Sequence, residues 1–195
     1  HTQRGQRTVV LGASSGMGRE TALALARAGA DVAVLARDFD ALTAVAAEIK
    51  TMGRRAVPIA VDVQDSKAAR DSVSKIVDVF GGIDILVYAT GWNIPKRALE
   101  VLSASDWEVM QRTNLWGLYD VTQAALPTLR ECGARLVVIS SAAVQIPDVS
   151  GVAYQSTKHA EAGFVHGLMH EEAEHGIRAT VLFPGLTETP MLGRR

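Results

Sequence analysis

Tyr154 and Lys158 lie four residues apart in a segment with helical periodicity, so both side chains emerge from one face of the helix. A phenol is a poor acid–base group at neutral pH because its reference pKa is about 10, but a neighbouring cation favours the phenolate. Ser141 precedes this pair, and a glycine-rich turn with the sequence GASSGMG occupies residues 12–18. With a dinucleotide held by the turn, these residues together could move a hydride and a proton.

Each of these features also has an ordinary structural interpretation. A Tyr and a Lys at this spacing most often form a surface pair, and two serines such as Ser140 and Ser141 commonly end a strand. A glycine-rich turn can simply join a strand to a helix. The choice between the interpretations depends on where the fold places these residues.

Short apolar segments alternate with longer helical ones along the chain. The apolar segments lack polar alternation, which is typical of strands buried on both faces of a parallel sheet. Strands are predicted at residues 8–11, 31–36, 56–61, 83–88, 135–140 and 178–183. Helices are predicted near residues 16–29, 39–52, 66–80, 106–131 and 153–175. This alternation predicts right-handed βαβ units and an α/β fold with a doubly wound parallel sheet.

Residues with useful chemistry follow the ends of the predicted strands. In doubly wound sheets, ligands bind at the carboxyl ends of the strands, at the point where the strand order reverses. The residues found there are Gly12, Ala36-Arg37, Asp62, Gly91, Ser141 and Pro184-Gly185. This agreement in position favours the functional interpretation of the glycine-rich turn and of the Tyr–Lys pair.

The residues after the second predicted strand bear on the choice of nucleotide. Proteins that bind NAD tend to place an acid there to hold the ribose 2′-hydroxyl, whereas an arginine suits a 2′-phosphate. In this chain Ala36 is followed by Arg37 and then Asp38. We therefore expect NADP(H) to be preferred over NAD. The alternative is that Arg37 is a surface charge and that Asp38 is the sugar ligand or a helix cap.

Asn114 occupies an otherwise apolar stripe of the predicted helix at residues 106–131. A buried asparagine needs partners for its polar groups, so it could hold a water or interrupt a backbone hydrogen bond. A buried hydrogen-bond network is the alternative. Trp92, just after Gly91, either lines the substrate entrance or is an exposed loop aromatic.

Five elements in this order resemble the short-chain dehydrogenase/reductase family, in its non-extended branch. They are the GASSGMG turn, Asn114, Ser141, Tyr154-x3-Lys158 and Pro184-Gly185-x3-Thr189, and the likeness covers residues 7 to about 192. The resemblance implies a Rossmann-type doubly wound sheet in three αβα layers. It also implies a single NAD(P)-binding domain over residues 1–195.

The resemblance implies a role for each of the four catalytic candidates. Tyr154 would be the general acid/base, and Ser141 would position the substrate carbonyl or hydroxyl. Lys158 would hold the nicotinamide ribose and favour the Tyr154 phenolate, and Asn114 would anchor a proton-relay water.

The cofactor contacts implied by the resemblance run along the same edge of the sheet. Thr189 would contact the nicotinamide carboxamide, Asp62 would contact the adenine edge unless it is only a turn residue, and residues 184–185 would form a wall. The full set is Gly12, Ser14, Ser15, Gly16, Met17, Gly18, Arg37, Asp62, Val63, Ala89, Gly91, Tyr154, Lys158, Pro184, Gly185, Thr187 and Thr189.

The implied activity is that of an NADP(H)-dependent oxidoreductase that interconverts a ketone or aldehyde and an alcohol by hydride transfer. A 3-oxoacyl-carrier-protein reductase is the alternative within the family, and a non-catalytic dinucleotide-binding or regulatory protein is the alternative from another class. A sensor would have no need of all four catalytic candidates. The family usually assembles through the helices at residues 106–131 and 153–175, so we expect a homodimer or homotetramer.

The chain departs from the family pattern in three places. Leu11 stands where a threonine usually precedes the first glycine. The sequence Tyr88-Ala89-Thr90-Gly91 replaces the usual Asn-Asn-Ala-Gly, which removes asparagine side chains beside the cofactor ribose. Family members usually continue into a substrate-covering lid and a seventh strand, so we expect this sequence to be incomplete at its carboxyl end.

The composition fits a globular protein with a small-molecule substrate. Apolar residues make up 48% and charged residues 21%, and 20 basic against 21 acidic residues give a net charge of −1, which argues against a nucleic-acid binder. Neither a signal peptide nor a membrane-length apolar run is evident, so we expect a cytoplasmic protein without a membrane partner. The single cysteine, Cys132, excludes an intrachain disulfide.

Histidines occur at four positions on or near the last predicted helix: His159, His166, His170 and His175. His166 and His170 lie one helical turn apart and could share a metal ion with Glu171 or Glu172. A polar helix face at a subunit contact is the favoured interpretation, so no metal site is expected.

Overall fold

Residues 2–190, the part of the chain that the computed structural model describes, contain a six-stranded parallel sheet between two layers of helices. The strands lie in the order β3-β2-β1-β4-β5-β6. Their bounds are Arg7–Leu11 (β1), Asp31–Ala36 (β2), Ala56–Ala60 (β3), Ile85–Tyr88 (β4), Arg135–Ile139 (β5) and Arg178–Leu182 (β6). The predicted α/β fold, its three layers and its six strands are confirmed. The predicted family resemblance extends to about residue 192, and residues 191–192 lie outside the part of the chain that the structure describes.

The helices follow the predicted order, with one difference in the middle of the chain. Their bounds are Gly16–Arg27 (α1), Phe39–Thr51 (α2), Ser66–Phe80 (α3), Ala104–Met110 (α4), Gly117–Cys132 (α5) and Val152–Glu171 (α6). The predicted helix at 106–131 is helical throughout, but a π-helical segment, Gln111–Trp116, separates α4 from α5. The predicted helix at 153–175 ends earlier, and a 3₁₀ turn, Ala173–His175, follows it.

Side-chain caps fix where several helices begin. Asp38, Asp65 and Ser103 each accept a hydrogen bond from a backbone N–H in the first turn of α2, α3 and α4, respectively. An N-cap of this kind satisfies a donor that the helix itself cannot pair. The polar residue that ends each loop therefore sets the start of the next helix.

Two apolar cores flank the sheet, one on each face. The first joins alternate strand residues such as Val9 and Leu11 to helices α3, α5 and α6. The second joins the opposite strand positions, such as Val10, to α1 and α2. Successive side chains of a strand point to opposite faces, so strands β1 to β5 contribute to both cores, which explains their continuous apolar runs in the sequence.

The order of the strands reverses at β1, which pairs with β2 on one side and β4 on the other. The chain leaves one half of the sheet after β3 and enters the other half at β4. This arrangement opens a crevice at the carboxyl ends of β1 and β4, the position where doubly wound sheets bind ligands.

At the opposite edge of the sheet, an ion pair fixes the start of β1 against the start of β4. The Asp84 carboxylate accepts hydrogen bonds from the Arg7 backbone N–H at 2.7 Å, from Nε at 2.9 Å and from Nη2 at 2.7 Å. Hydrogen bonds from Arg7 hold the pKa of Asp84 below its usual value, against an opposing effect of burial. The pair is partly exposed, so its contribution is reduced by solvent screening.

Replacing Asp84 by Asn should destabilise the fold by roughly 1–2 kcal/mol near neutral pH, because charge-assisted hydrogen bonds are lost. A carboxyl with a lowered folded pKa stabilises above its unfolded pKa, and this stabilisation disappears as the pH falls through the folded value. The difference between wild type and D84N should therefore narrow below about pH 4. Denaturant unfolding at several pH values measures this difference. Asp78→Asn, an exposed substitution on α3, is the control; a D84N deficit that stays constant with pH would contradict the assignment.

Candidate active site

A cavity of about 630 Å³ lies at the carboxyl ends of β1, β2 and β4 and at the segments that follow β3. Cofactor and substrate sites in proteins typically have volumes of this order. Most of the predicted cofactor contacts line it: Gly12, Ser14, Ser15, Gly16, Met17, Gly18, Arg37, Asp62, Val63, Ala89, Gly91 and Thr189. The predicted contacts Tyr154, Lys158, Pro184, Gly185 and Thr187 lie outside its lining.

The glycine-rich turn has a backbone that only glycine accommodates well. Gly12 and Gly16 have φ values of 77° and 52°, in the left-handed region that other residues rarely adopt. A Cβ on Gly12 would lie 2.7 Å from the carbonyl oxygen of Ala89, and a Cβ on Gly18 would overlap the carbonyl oxygen of Gly12. The turn therefore packs tightly against both the start of α1 and the segment after β4.

The start of α1 presents unpaired donors to the cavity. The first N–H groups of any helix lack a partner within the helix, and the side chain of Ser15, at the N-cap, makes no capping hydrogen bond. Thr189 closes over this turn, since a Cβ on Gly16 would lie 3.1 Å from its Cγ2. The combination of a glycine cradle and a helix start is suited to binding phosphate.

Arg37 and Asp38, at the end of β2, have different roles. Asp38 caps α2 by accepting a hydrogen bond from Ala41 N at 3.0 Å, which matches the helix-cap alternative. Arg37 lines the cavity, and its guanidinium lies 5.6 Å from the centre of the Trp92 ring. Arg37 and Asp38 both line the cavity, and Trp92 forms part of its wall.

Asp62 combines the two roles considered for it. Its side chain lines the cavity, and its Oδ1 accepts a hydrogen bond from Gln64 N at 3.0 Å. The hydrogen bond shapes the turn after β3, and the second carboxylate oxygen is not used by it. Turn geometry and contact with a ligand are therefore compatible at this position.

Asn114 connects the loop after β4 to α6. It is fully buried; its Oδ1 accepts from Trp92 N at 2.7 Å, and its Nδ2 donates to Trp92 O at 3.1 Å and to Thr157 Oγ1 at 2.9 Å. These bonds use both amide hydrogens, so the side chain belongs to a buried network. The local interruption of the helix expected at Asn114 is the π-helical segment itself.

Tyr88, the last residue of β4, connects the strand to the π-helical segment. Its hydroxyl donates to the carbonyl oxygen of Thr113 in the π-helical segment, at 2.5 Å. Gly117 permits this approach, since a Cβ there would lie 2.5 Å from the Tyr88 hydroxyl and 2.8 Å from Val63. Burial, with a smaller effect of the Glu161 charge, raises the pKa of Tyr88 well above its usual value. It therefore acts as a neutral donor.

Ser141 lies two residues after β5 and caps a short 3₁₀ turn, Ala142–Val144, by accepting a hydrogen bond from Ala143 N at 3.2 Å. Because the hydroxyl oxygen accepts this bond, its hydrogen is oriented for donation elsewhere. Ala142 N donates to the carbonyl oxygen of Pro184 at 2.9 Å. That bond places residues 184–185, the predicted wall of the nicotinamide pocket, beside Ser141.

Tyr154 and Lys158 are both buried in the first turns of α6, and the Lys158 Nζ lies 5.6 Å from the centre of the Tyr154 ring. The surface-pair alternative is therefore wrong. Tyr154 packs in a small apolar cluster with Ala143, two residues after Ser141, and with Ile94. Helix α6, which carries Tyr154 and Lys158, thus contacts both the π-helical segment that carries Asn114 and the 3₁₀ turn that Ser141 caps.

Lys158 has a partner that the sequence analysis missed. Its Nζ donates to Glu161 at 2.9 and 3.1 Å and to the Ile139 carbonyl at 3.3 Å. Burial by itself lowers the pKa of Lys158, but the charge of Glu161 and a contribution from Tyr154 outweigh it and raise that pKa. The sequence signal for this pair is the spacing of three residues between Lys158 and Glu161, which places both side chains on one face of the helix.

Two further findings concern ligands and membranes. Within the described residues 2–190, no group of three or more His, Cys, Asp or Glu side chains is arranged to hold a metal ion. None of the helices in that range combines the length and the apolar character that a bilayer-spanning helix needs.

Known proteins with this architecture were compared with the chain. The uncharacterized oxidoreductase YhxD of Bacillus subtilis is 35% identical over 96% of the chain, which spans 63% of YhxD. An alcohol dehydrogenase from the archaeon Thermococcus sibiricus, solved with 5-hydroxy-NADP, has a TM-score of 0.91 and 31% identity, over 97% of this chain and 80% of that one. A short chain dehydrogenase from Burkholderia cenocepacia J2315, solved with NADP, has a TM-score of 0.91 and 33% identity, over 98% and 78%.

The family comparison covers almost the whole chain. The family described as short chain dehydrogenase matches residues 6–195, a range that includes the glycine-rich turn and all four catalytic candidates. The order of these residues along the chain and their placement at one edge of the sheet agree with that match. The chain belongs to the short-chain dehydrogenase family.

Proposed function

We propose that the protein is an NADP(H)-dependent oxidoreductase that interconverts a ketone or aldehyde and the corresponding alcohol. The observation that carries the proposal is the buried Tyr154–Lys158 pair, which Asn114 ties through Thr157 to the wall of the nucleotide cavity. A phenol beside a buried cation is an acid–base group, and its place next to a dinucleotide cradle gives that group a redox partner.

The residues of the cavity fit a dinucleotide. The turn at Gly12 and Gly18 leaves no room for a Cβ, so its backbone can approach a pyrophosphate closely. The uncapped start of α1 supplies N–H donors and positive potential. The related structures solved with NADP or 5-hydroxy-NADP support the same class of cofactor.

A preference for NADP(H) over NAD rests on Arg37. Its guanidinium is the cation at the end of β2 and faces the cavity, whereas the neighbouring Asp38 carboxylate is engaged in capping α2. A planar guanidinium binds phosphate oxygens in a bidentate manner. Arg37 would therefore recognise a 2′-phosphate, while Asp38, which also lines the cavity, has one carboxylate oxygen engaged by the cap.

The proposed mechanism assigns one task to each catalytic candidate. A bound nicotinamide would supply the hydride in the reduction and accept it in the oxidation. Tyr154 donates a proton to the substrate oxygen during reduction and removes it during oxidation, while Ser141 orients that oxygen through its hydroxyl. Lys158 supplies the adjacent positive charge, and Asn114 fixes α6 relative to the loop at Trp92.

A homo-oligomer is part of the proposal. Trp107, Trp116 and Tyr119 are substantially exposed along α4, the π-helical segment and the start of α5, with Trp116 and Tyr119 in edge-to-face contact. Aromatic side chains are enriched in the contact surfaces of proteins. A second copy of the chain would bury them.

Replacing Tyr154 by Phe should lower kcat by roughly 10²–10⁴-fold, the usual contribution of a general acid/base. The affinity for NADPH should change by less than about threefold, since the phenol ring and its packing remain. Loss of NADPH absorbance with a panel of small ketones measures turnover, and fluorescence titration measures binding. Tyr119→Phe removes a hydroxyl on α5 and should leave both unchanged. Substantial turnover by Y154F would refute the proposed function.

Replacing Arg37 by Ala should weaken NADPH binding about 10–100-fold, the equivalent of one charged hydrogen-bonded contact. NADH binding should remain nearly unchanged, because NADH lacks the 2′-phosphate. Fluorescence titration with both cofactors gives the ratio. Arg27→Ala removes an exposed arginine at the end of α1 and serves as the control. An equal loss for NADPH and NADH would contradict the role of Arg37.

Replacing Gly18 by Ala should destabilise the protein by about 1–3 kcal/mol through overpacking against the Gly12 carbonyl. It should also weaken NADPH binding by roughly tenfold or more, since the cradle must shift. Gly163→Ala is the matched helical control, because a Cβ there meets nothing within 4 Å. Thermal unfolding and cofactor titration of both variants test the cradle, and wild-type binding by G18A would argue against it.

A further inference from the structure

Glu161 is a fully buried carboxylate that the proposed mechanism does not use. Its side chain has no measurable exposure, and that of Lys158 has 3%. The Lys158 Nζ lies 2.9 Å from Oε1 and 3.1 Å from Oε2, so both carboxylate oxygens face the ammonium. A buried carboxylate carries a large desolvation cost unless it is paired, so this geometry depends on the contact.

The groups around this pair come from several elements. Tyr154, one turn earlier on α6, has its ring 5.6 Å from the Lys158 Nζ. The Ile139 carbonyl at the end of β5 accepts from the same ammonium. Tyr88, on β4, also lies near Glu161, and burial together with the Glu161 charge raises the pKa of the Tyr88 hydroxyl. The charges of Asp120 and Asp62 raise the pKa of Tyr88 as well.

The ammonium of Lys158 therefore has two neighbours that respond to its charge, the Tyr154 ring and the Glu161 carboxylate. Its charge lies 5.6 Å from the centre of the Tyr154 ring, and the Glu161 carboxylate opposes that charge from 2.9 Å. Burial raises the pKa of Glu161, and Lys158 counters this by stabilising the carboxylate. The paired Lys158 and Glu161 side chains lie beside the phenol, and the Ser140 hydroxyl donates to the Lys158 carbonyl at 3.0 Å, which fixes the local backbone.

We propose that Glu161 is a positioning residue that holds the Lys158 ammonium beneath Tyr154 and partly offsets its charge. The proposal rests on the proposed function in one respect, since it assumes that the Tyr154 phenol is the acid–base group. The carboxylate sets both the place of the cation and the strength of its field at the phenol. Glu161 thus adjusts the acid–base behaviour of Tyr154 without contacting substrate.

The test is the direct titration of the Tyr154 phenol by its phenolate absorbance. The chain has three tyrosines, so the spectrum of a matched Tyr154→Phe protein is subtracted to isolate Tyr154. In Glu161→Gln the cation acts without an opposing carboxylate, and the midpoint should fall by about one pH unit. An unchanged or raised midpoint in a folded variant would overturn the proposal.

Other variants keep this test decisive. Glu161→Met removes the same charge and also the acceptor that holds the ammonium, so its midpoint should fall by less than that of the Gln variant. Glu161→Asp keeps the charge and should restore a midpoint close to that of the wild type. Glu171→Gln, which removes an exposed carboxylate from the end of α6, should have no effect. A Met variant without a downward shift, or an equal shift in E171Q, would refute a specific role for Glu161.

The readout separates this proposal from the proposed function. The phenol titration requires neither substrate nor cofactor, so it reports on Glu161 even in a protein that reduces none of the ketones tested. Such inactivity would refute the oxidoreductase proposal alone. In an active wild type, the limb of the kcat/KM pH profile that reports Tyr154 should move with the phenol midpoint in E161Q, an effect that a purely structural role would not produce.

Discussion

The parallel direction of all six strands is the constraint on which the rest of the structure depends. It brings every strand's carboxyl end to one edge of the sheet, and the reversal of order at β1 opens a crevice there. Residues that are far apart in sequence, such as Gly12, Arg37 and Ser141, reach this edge because each follows a strand. The chemistry of the site is therefore a consequence of topology first and of individual side chains second.

Buried polar contacts then convert this common edge into a connected site. Asn114 links the loop at Trp92 to α6, and Tyr88 links β4 to the π-helical segment. Each contact satisfies a buried group that would otherwise carry a desolvation cost, so the network resists displacement of any one element. These buried contacts therefore fix the position of the cavity relative to Tyr154.

The sequence alone was enough for the fold and for most of the cavity lining, because strand ends and glycine spacing are local signals. It was not enough for contacts that depend on where two elements meet. Asn114 predicted a local interruption of the helix, but the hydrogen bond from Tyr88 on β4 to Thr113 in the π-helical segment has no signal in the local sequence. The sequence shows that Glu161 lies one helical turn after Lys158, but it does not show that Glu161 is buried, because its burial depends on the packing of α6 against the sheet.

The central claim is that this edge of the sheet binds a dinucleotide carrying a 2′-phosphate. The most direct test is a fluorescence titration of the wild-type protein with NADPH, followed by competition with adenosine 2′,5′-bisphosphate and with adenosine 5′-monophosphate. The account predicts saturable binding at one site per chain, displaced far more readily by the bisphosphate. Absence of saturable binding, or equal displacement by the two competitors, would contradict it.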